Sequence, residues 1–238
     1  MNILAIDTST TACVLGLRFR GEELVRFEHI NRTHSLELLP RIVALLADAE
    51  LQKTDLDLLV FGRGPGSFTG LRITVGVVQG LAFGLDIPVV GVSTLACIAQ
   101  GRHRRSLHQR SSGSAQAEAS HVVVAQIARQ QELFYGAYEI REGVAQLVGK
   151  EAVHLASDVP LLPQAPWVGV GSGWQFADDI NASSHAEVSD ITLEAFPEAE
   201  DLLFLGAEGF RKGAAVKAEQ AIPEYLREQV ATPPKPKT

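Results

Sequence analysis

The chain has 238 residues, 46% of them apolar and 21% charged, and a formal net charge of −7. That is a globular composition, enough for one large domain or two small lobes, and it excludes a general polyanion binder: any contact with nucleic acid has to be local or made through a partner. The two cysteines, Cys13 and Cys97, each lie in an apolar segment, which points to buried free thiols in a reducing compartment rather than to a disulfide or a metal site. The N-terminus, MNILAIDTS, lacks a basic region and meets an acid at residue 7, so it does not read as a signal peptide. No segment is read as reaching the roughly 18 apolar residues of a membrane span. A cytoplasmic protein with no membrane contact is expected.

In chain order, residues 2–6 read as a short apolar strand ending at Asp7, followed by a Thr/Ser turn. Residues 12–19 and 24–30 read as two more strands joined by a turn at Arg20-Gly21-Glu22. A helix is expected over 35–50, with Pro40 kinking it or marking a boundary. Its apolar residues fall in two stripes: Leu36, Leu39, Val43 and Leu46 form one, Leu38, Ile42 and Leu45 the other. One stripe suffices to seat a helix on its own sheet, so the surplus points to a second packing partner.

Residues 56–61 form the next expected strand. The stretch GRGPGSFTGLR, Gly62 to Arg72, follows it and leads into an uncharged helix over 73–85. Strand, glycine-rich turn and helix in that order either form a structural turn or present free helix N–H groups to an anion, phosphate above all. Ser67 or Thr69 can cap the helix. The turn is not a Walker loop, because no Lys-Ser or Lys-Thr pair follows the last glycine. Within the helix Gly76, Gly80 and Gly84 recur every fourth residue, each costing about 1 kcal/mol relative to alanine, and close approach of another helix is the obvious compensation. Residues 89–92 read as a strand, and Ser93-Thr94 as the cap of a short helix to about Gln100.

Residues 101–120 carry four arginines and two histidines before the first acid, Glu118, and read as a mobile basic loop, a solvated connector more readily than an RNA-contacting arm. The strand pattern then returns over 121–126, 133–141 and 144–148. Shifted by 120 residues, Ala5 meets Ala125, Gly16 meets Gly136, Glu22 meets Glu142 and Leu24 meets Val144. The order strand, turn, strand, turn, strand is thus repeated, which implies a duplicated architecture. Asp7 meets Ile127, so the second copy lacks the carboxylate. A strand over 167–170, a second glycine-rich turn at Gly169-Val170-Gly171-Ser172-Gly173 and a helix over 197–213 follow. Residues 231–238 read as a disordered tail.

Chemistry is sparse. Asp7 sits at the carboxyl end of a strand, where open sheets bind ligands; it can hold a Mg–phosphate complex through water or cap its own turn. The candidate phosphate site is Asp7, Thr8, Ser9, Gly64, Gly66 and Ser67. His34 stands alone at a helix start and reads as a cap or surface group. No paired-histidine or Cys-x-x-Cys spacing assembles a metal site, and no serine occupies a G-x-S-x-G elbow. Arg72 is placed to steady an acid or a phosphate, or to make a surface ion pair.

The segments IDTST, GRGPGSFTGLRI, IPVVGVSTL, VGVGSGW and PEYLR resemble, in order and through nearly the whole chain, the bacterial TsaB (YeaZ) family of tRNA threonylcarbamoyladenosine biosynthesis proteins. The resemblance implies an α/β, two-lobed actin/Hsp70/sugar-kinase-like (ribonuclease H-like) fold with duplicated mixed sheets. It implies an N-terminal lobe over 1–100 and a degenerate C-terminal lobe over 121–238, with the helix near 197–213 packing back on the first. It further implies a non-catalytic scaffold that binds TsaD, with TsaE, in forming threonylcarbamoyladenosine next to the anticodon of tRNA. ATP and Mg then belong to the complex and no cofactor to this chain; tRNA is met through the complex, and a homodimer through the same helices is open. The His-x-x-x-His metal site of the catalytic relative falls here on Thr94 and Ile98, which cannot replace two imidazoles. The implied partner interface is Leu36, Leu39, Val43, Leu46, Leu71, Val75, Gly76, Gly80 and Gly84. Relatives often read Asp-Ala-Arg at the second-lobe turn; this chain reads Ile127-Ala128-Arg129. The alternatives are a small Mg-dependent ATPase or phosphotransferase built on Asp7 and the Gly64–Thr69 turn, and an actin-like polymer subunit. A peptidase finds no nucleophile–base spacing.

Overall fold

Strand β1 (Ile3–Asp7) is apolar on both sides, and its alternation divides the first half of the molecule. Leu4 and Ile6 point to one core, Ile3 and Ala5 to another, as the two-residue period of a strand demands. A computed structural model describes residues 1–29, 34–111, 120–186 and 188–226. The tail expected at 231–238 lies outside them, as do residues 112–119.

β1 pairs antiparallel with β2 (Ala12–Phe19), Ala5 opposite Gly16, and β2 pairs with the edge strand β3 (Glu22–His29). Helix α1 (His34–Asp48) carries the chain across to β4 (Leu58–Gly64), parallel to β1 with Ala5 opposite Val60. Helix α2 (Phe68–Leu85) is the next crossover, to β5 (Val89–Ser93), parallel to β4. The sheet order is β3-β2-β1-β4-β5. Pro40 lies inside α1 and does not end it; it is exposed, so the carbonyl that loses its helical partner can face water.

The second half repeats this plan. β6 (His121–Arg129), β7 (Glu132–Arg141) and β8 (Val144–Leu155) form an antiparallel meander, and β9 (Trp167–Val170) and β10 (Ser189–Thr192) add in parallel beside β6, giving β8-β7-β6-β9-β10. The duplication inferred from the 120-residue shift is therefore a repeat of topology. Helix α4 (Ala177–Ser184) and β10 have no counterpart among the sequence expectations, being short and polar.

α1 and α2 cover one face of the first sheet through Leu38, Ile42, Leu45, Val75, Val78 and Ala82. The C-terminal helix α5 (Ala199–Arg211) covers the other through Leu202 and Leu203. Helix α3 (Thr94–Ser111) leaves the first sheet and lays Leu95, Ile98 and Ala99 on the second, against Val122, Val124 and Tyr138. Against the expectation that no segment reaches the length of a membrane span, α2 is long and apolar enough to be one, because the helix starts at Phe68 rather than at residue 73. Here its inner stripe of Leu71, Thr74, Val75, Val78 and Ala82 is buried in the molecule.

The expected loop over 101–120 is corrected most. Residues 101–111 continue α3. Arg104 makes a two-pronged contact with Asp201, both bonds at 2.9 Å, and also reaches Glu198; Arg105 pairs with Glu198 and Arg102 with Asp190. Asp201 and Arg102 are buried. Charges removed from water persist only when paired, and these partners lie about ninety or more residues away in sequence, where no local pattern shows them. The first part of the segment that reads as a solvated arm is instead a part-buried ionic tie from α3 to the second sheet and to α5.

Candidate functional site

The two motif turns are built into each other. Asp7 leaves β1 and turns its carboxylate back, so that Oδ1 accepts from Ser9 N and from Ser9 Oγ, each at 2.7 Å. This is the Asx-type turn that the residue type favours. Thr94 Oγ1, at the start of α3, donates toward Asp7 Oδ2 at 3.5 Å and to Ser9 Oγ at 3.2 Å. Thr8 Oγ1 donates to the Gly70 carbonyl at 2.8 Å, and Thr8 N donates to Thr74 Oγ1 at 3.1 Å. Ser67 N donates to the Ser9 carbonyl at 2.7 Å, and Ser67 caps α2 by accepting from Gly70 N at 3.3 Å. The capping role expected for Ser67 or Thr69 thus falls to Ser67.

Glycine is needed where the turns touch. A Cβ at Gly62 would lie 1.6 Å from Asp7 Oδ2, one at Gly70 1.8 Å from the Thr8 carbonyl oxygen, and one at Gly66 2.4 Å from the Ser9 carbonyl oxygen. The glycines that suggested room for a phosphate instead make room for the IDTS turn. Of the candidate phosphate set, the structure brings Asp7, Thr8, Ser9, Gly64, Gly66 and Ser67 together, but Asp7, Thr8, Ser9 and Gly64 are buried. The Thr8 and Ser9 hydroxyls donate to protein atoms. Only Ser9, Gly66 and Ser67 reach the wall of a cleft of about 970 Å³ between the two sheets, whose far wall includes Gln126, Ile127 and Ser172. Thr94 and Ile98 line the same cleft one helical turn apart. Among the described residues no group of three His, Cys, Asp or Glu side chains gathers to hold a metal.

Burial raises the Asp7 carboxyl from 3.8 to about 6, only partly opposed by the Ser9 and Thr94 hydrogen bonds. The folded protein therefore holds this proton more tightly than the unfolded chain. The stability contributed is complete below pH 3.8 and lost as pH rises through 6, a change of up to about 3 kcal/mol. Asp7→Asn is expected to flatten urea-unfolding stability across this window and to be the more stable protein at pH 7.5. Parallel pH profiles for the two proteins would contradict the assignment.

The implied partner residues divide. Leu36, Leu39 and Val43 on α1 are 76%, 48% and 59% exposed, and Phe83 on α2 is 80% exposed. Gly76, Gly80 and Gly84 are exposed, and a Cβ built on any of them meets nothing within 4 Å. Leu46, Leu71 and Val75 are instead in the core. Around the helix Leu46 lies on the border between the two stripes, and the rotation of α1 on its sheet turns it inward beside Ile42. Leu71 and Val75 belong with Val78 and Ala82 on the stripe that faces the sheet. Phe83, not singled out from the sequence, shares the glycine face and could have been found from the same periodicity.

A protein-family model described as "TsaD: tRNA N6-adenosine threonylcarbamoyltransferase" matches residues 28–235. The tRNA threonylcarbamoyladenosine biosynthesis protein TsaB of Escherichia coli (strain K12) is 38% identical over 235 residues, spanning 97% of this chain and 96% of the relative. The protein of the same name from Bacillus subtilis (strain 168) is 30% identical over 246 residues, spanning 95% and 94%. The solved structure of YeaZ from Pseudomonas aeruginosa superimposes with a TM-score of 0.81 at 39% identity, covering 94% of this chain and 99% of that one. With sequence identity running nearly end to end and the same duplicated pair of sheets, this chain belongs to the TsaB (YeaZ) family.

Proposed function

We propose that this protein is a non-catalytic docking subunit that binds TsaD, with TsaE, in the formation of threonylcarbamoyladenosine in tRNA. The observation that carries the reading is the bare apolar surface on α1 and α2: Leu36, Leu39 and Val43 on α1 and Phe83 on α2 stand in solvent, and α2 carries an open glycine stripe. Exposed apolar surface concentrated on two adjacent helices marks an interaction site, and glycines at four-residue spacing allow another helix to approach the backbone closely. The names of the full-length relatives supply the pathway.

In this reading the halves at 1–100 and 121–238 are the two lobes of an actin/Hsp70/sugar-kinase-like fold, the protein works in the cytoplasm, and the face closes on a second copy when TsaD is absent. ATP and Mg act on the other subunits, and tRNA meets the assembled complex. A small ATPase built on Asp7 finds less support, because the hydroxyls that would meet a phosphate bond to protein atoms. The test is a mixture of this protein, TsaD, TsaE, ATP, Mg and substrate tRNA, each omitted in turn. Modified tRNA is expected to require both this chain and TsaD; product formed by this chain without TsaD would overturn the reading.

A further inference from the structure

Helix α2 spans 18 residues and carries a single charge, Arg72. A charge on a face that is to be desolvated is costly unless it finds a partner. Arg72 stands one turn before Gly76 and two before Gly80, on the same exposed line of the helix. Its side chain is held in place. The guanidinium carbon lies 3.9 Å from the Phe68 ring centroid, and Nε donates to the Tyr225 hydroxyl at 3.2 Å. The Phe68 and Tyr225 rings are themselves 5.3 Å apart. Tyr225 belongs to a C-terminal segment fastened alongside α2: Gln79 Nε2 donates to the Ala221 carbonyl at 2.8 Å, and Glu224 N donates to the Arg63 carbonyl at 2.7 Å. An aromatic clamp assembled from α2 and the C-terminal segment thus fixes one cation. Nε is used, the two terminal nitrogens of the fork are left, and no acid among the described residues pairs with them.

We infer that Arg72 is the polar anchor of the docking face, its fork aimed at one carboxylate that the partner protein contributes to an otherwise apolar contact. This rests on the reading of the α1/α2 face as the TsaD-binding surface and adds to it the chemistry that selects the partner. A carboxylate fits better than a nucleic acid backbone. Arg72 is the one charge on α2, and the chain carries a net charge of −7, whereas phosphate backbones are held by several cations together. Planar, aromatic-stacked arginine is also the side chain best suited to two-pronged recognition of a carboxylate at an interface.

The test is titration calorimetry of TsaD into the wild type, Arg72→Ala, Arg72→Lys, Tyr225→Phe and Gly80→Leu, at low and high salt. Circular dichroism melts confirm that each variant is folded. Arg72→Ala is expected to weaken binding by about 30-fold or more, the loss typical of a desolvated charge pair. Arg72→Lys should fall between, because an ammonium cannot reproduce the fork. Tyr225→Phe should weaken binding less, with its charge intact but its aim loosened, and the salt dependence of the wild type should be largely lost in Arg72→Ala. If the wild type binds and Gly80→Leu does not, while Arg72→Ala binds within about twofold of wild type, the anchor is refuted and the docking face stands. If the wild type does not bind TsaD, the docking face itself is refuted, and the anchor with it. If Arg72→Ala leaves TsaD binding intact and instead weakens tRNA binding, or self-association, the occupant is wrong and the inference falls.

Discussion

Gly80→Leu is expected to raise the melting temperature of the isolated protein while abolishing its complex with TsaD. The two effects have opposite signs because they arise on opposite sides of the interface. Within the monomer a Cβ at residue 80 meets nothing within 4 Å, so the leucine has room, and it replaces the poorest helix former short of proline. The gain is about 0.7–1 kcal/mol, or roughly 2–4 °C for a chain of this size. On the docking face proposed above, the same side chain blocks the approach of a partner helix, and the affinity is expected to fall about a hundredfold or more, near 3 kcal/mol. Scanning calorimetry of the free protein and size-exclusion chromatography with TsaD read the two quantities separately. A stabilised monomer that still forms its complex would show that the glycine stripe is not the contact.

Ten residues earlier on the same helix, Gly70→Ala is expected to do the reverse. The new methyl would lie 1.8 Å from the Thr8 carbonyl oxygen and 2.9 Å from its carbon. The obstacle is backbone, and it cannot swing aside, because Thr8 is held through its N–H by Thr74 and through its hydroxyl by the Gly70 carbonyl. Relief requires parting the IDTS turn from the N-terminus of α2, which uncaps the helix and strands the hydroxyls of Thr8 and Thr74 in the core. Overpacking of this severity costs more than about 3 kcal/mol, set against the roughly 1 kcal/mol that alanine returns as a helix former. A fall in melting temperature of at least about 4–8 °C is expected; a variant as stable as wild type would mean that the two turns are not interlocked. One helix therefore carries glycines in two different settings, packed at residue 70 and open at residue 80, and the sign of a Gly→Ala change separates them.

Much of the strand framework was legible because its signals are local. Residues 12–19 and 167–170 are strands over the same bounds as read from alternation and apolar runs, and the repeat of strand and turn announced the second sheet. The two interlocked turns were visible as motifs, and the surplus of apolar residues on residues 35–50 announced a second surface. Three things were decided only by the folded chain. Which leucines of α1 face outward depends on how the helix is rotated on its sheet, so Leu46 joined the core and Phe83 joined the outer face. The role of the glycines in the GRGPGSFTG block depends on what comes against them, and that is Asp7, Thr8 and Ser9 rather than a phosphate. Arg102, Arg104 and Arg105 read as solvated because their acids, Asp190, Glu198 and Asp201, are distant in sequence. Periodicity and turn chemistry are properties of neighbouring residues, which a linear text contains. Burial, close approach and ion pairing depend on which distant residues meet, and only the tertiary structure brings them together.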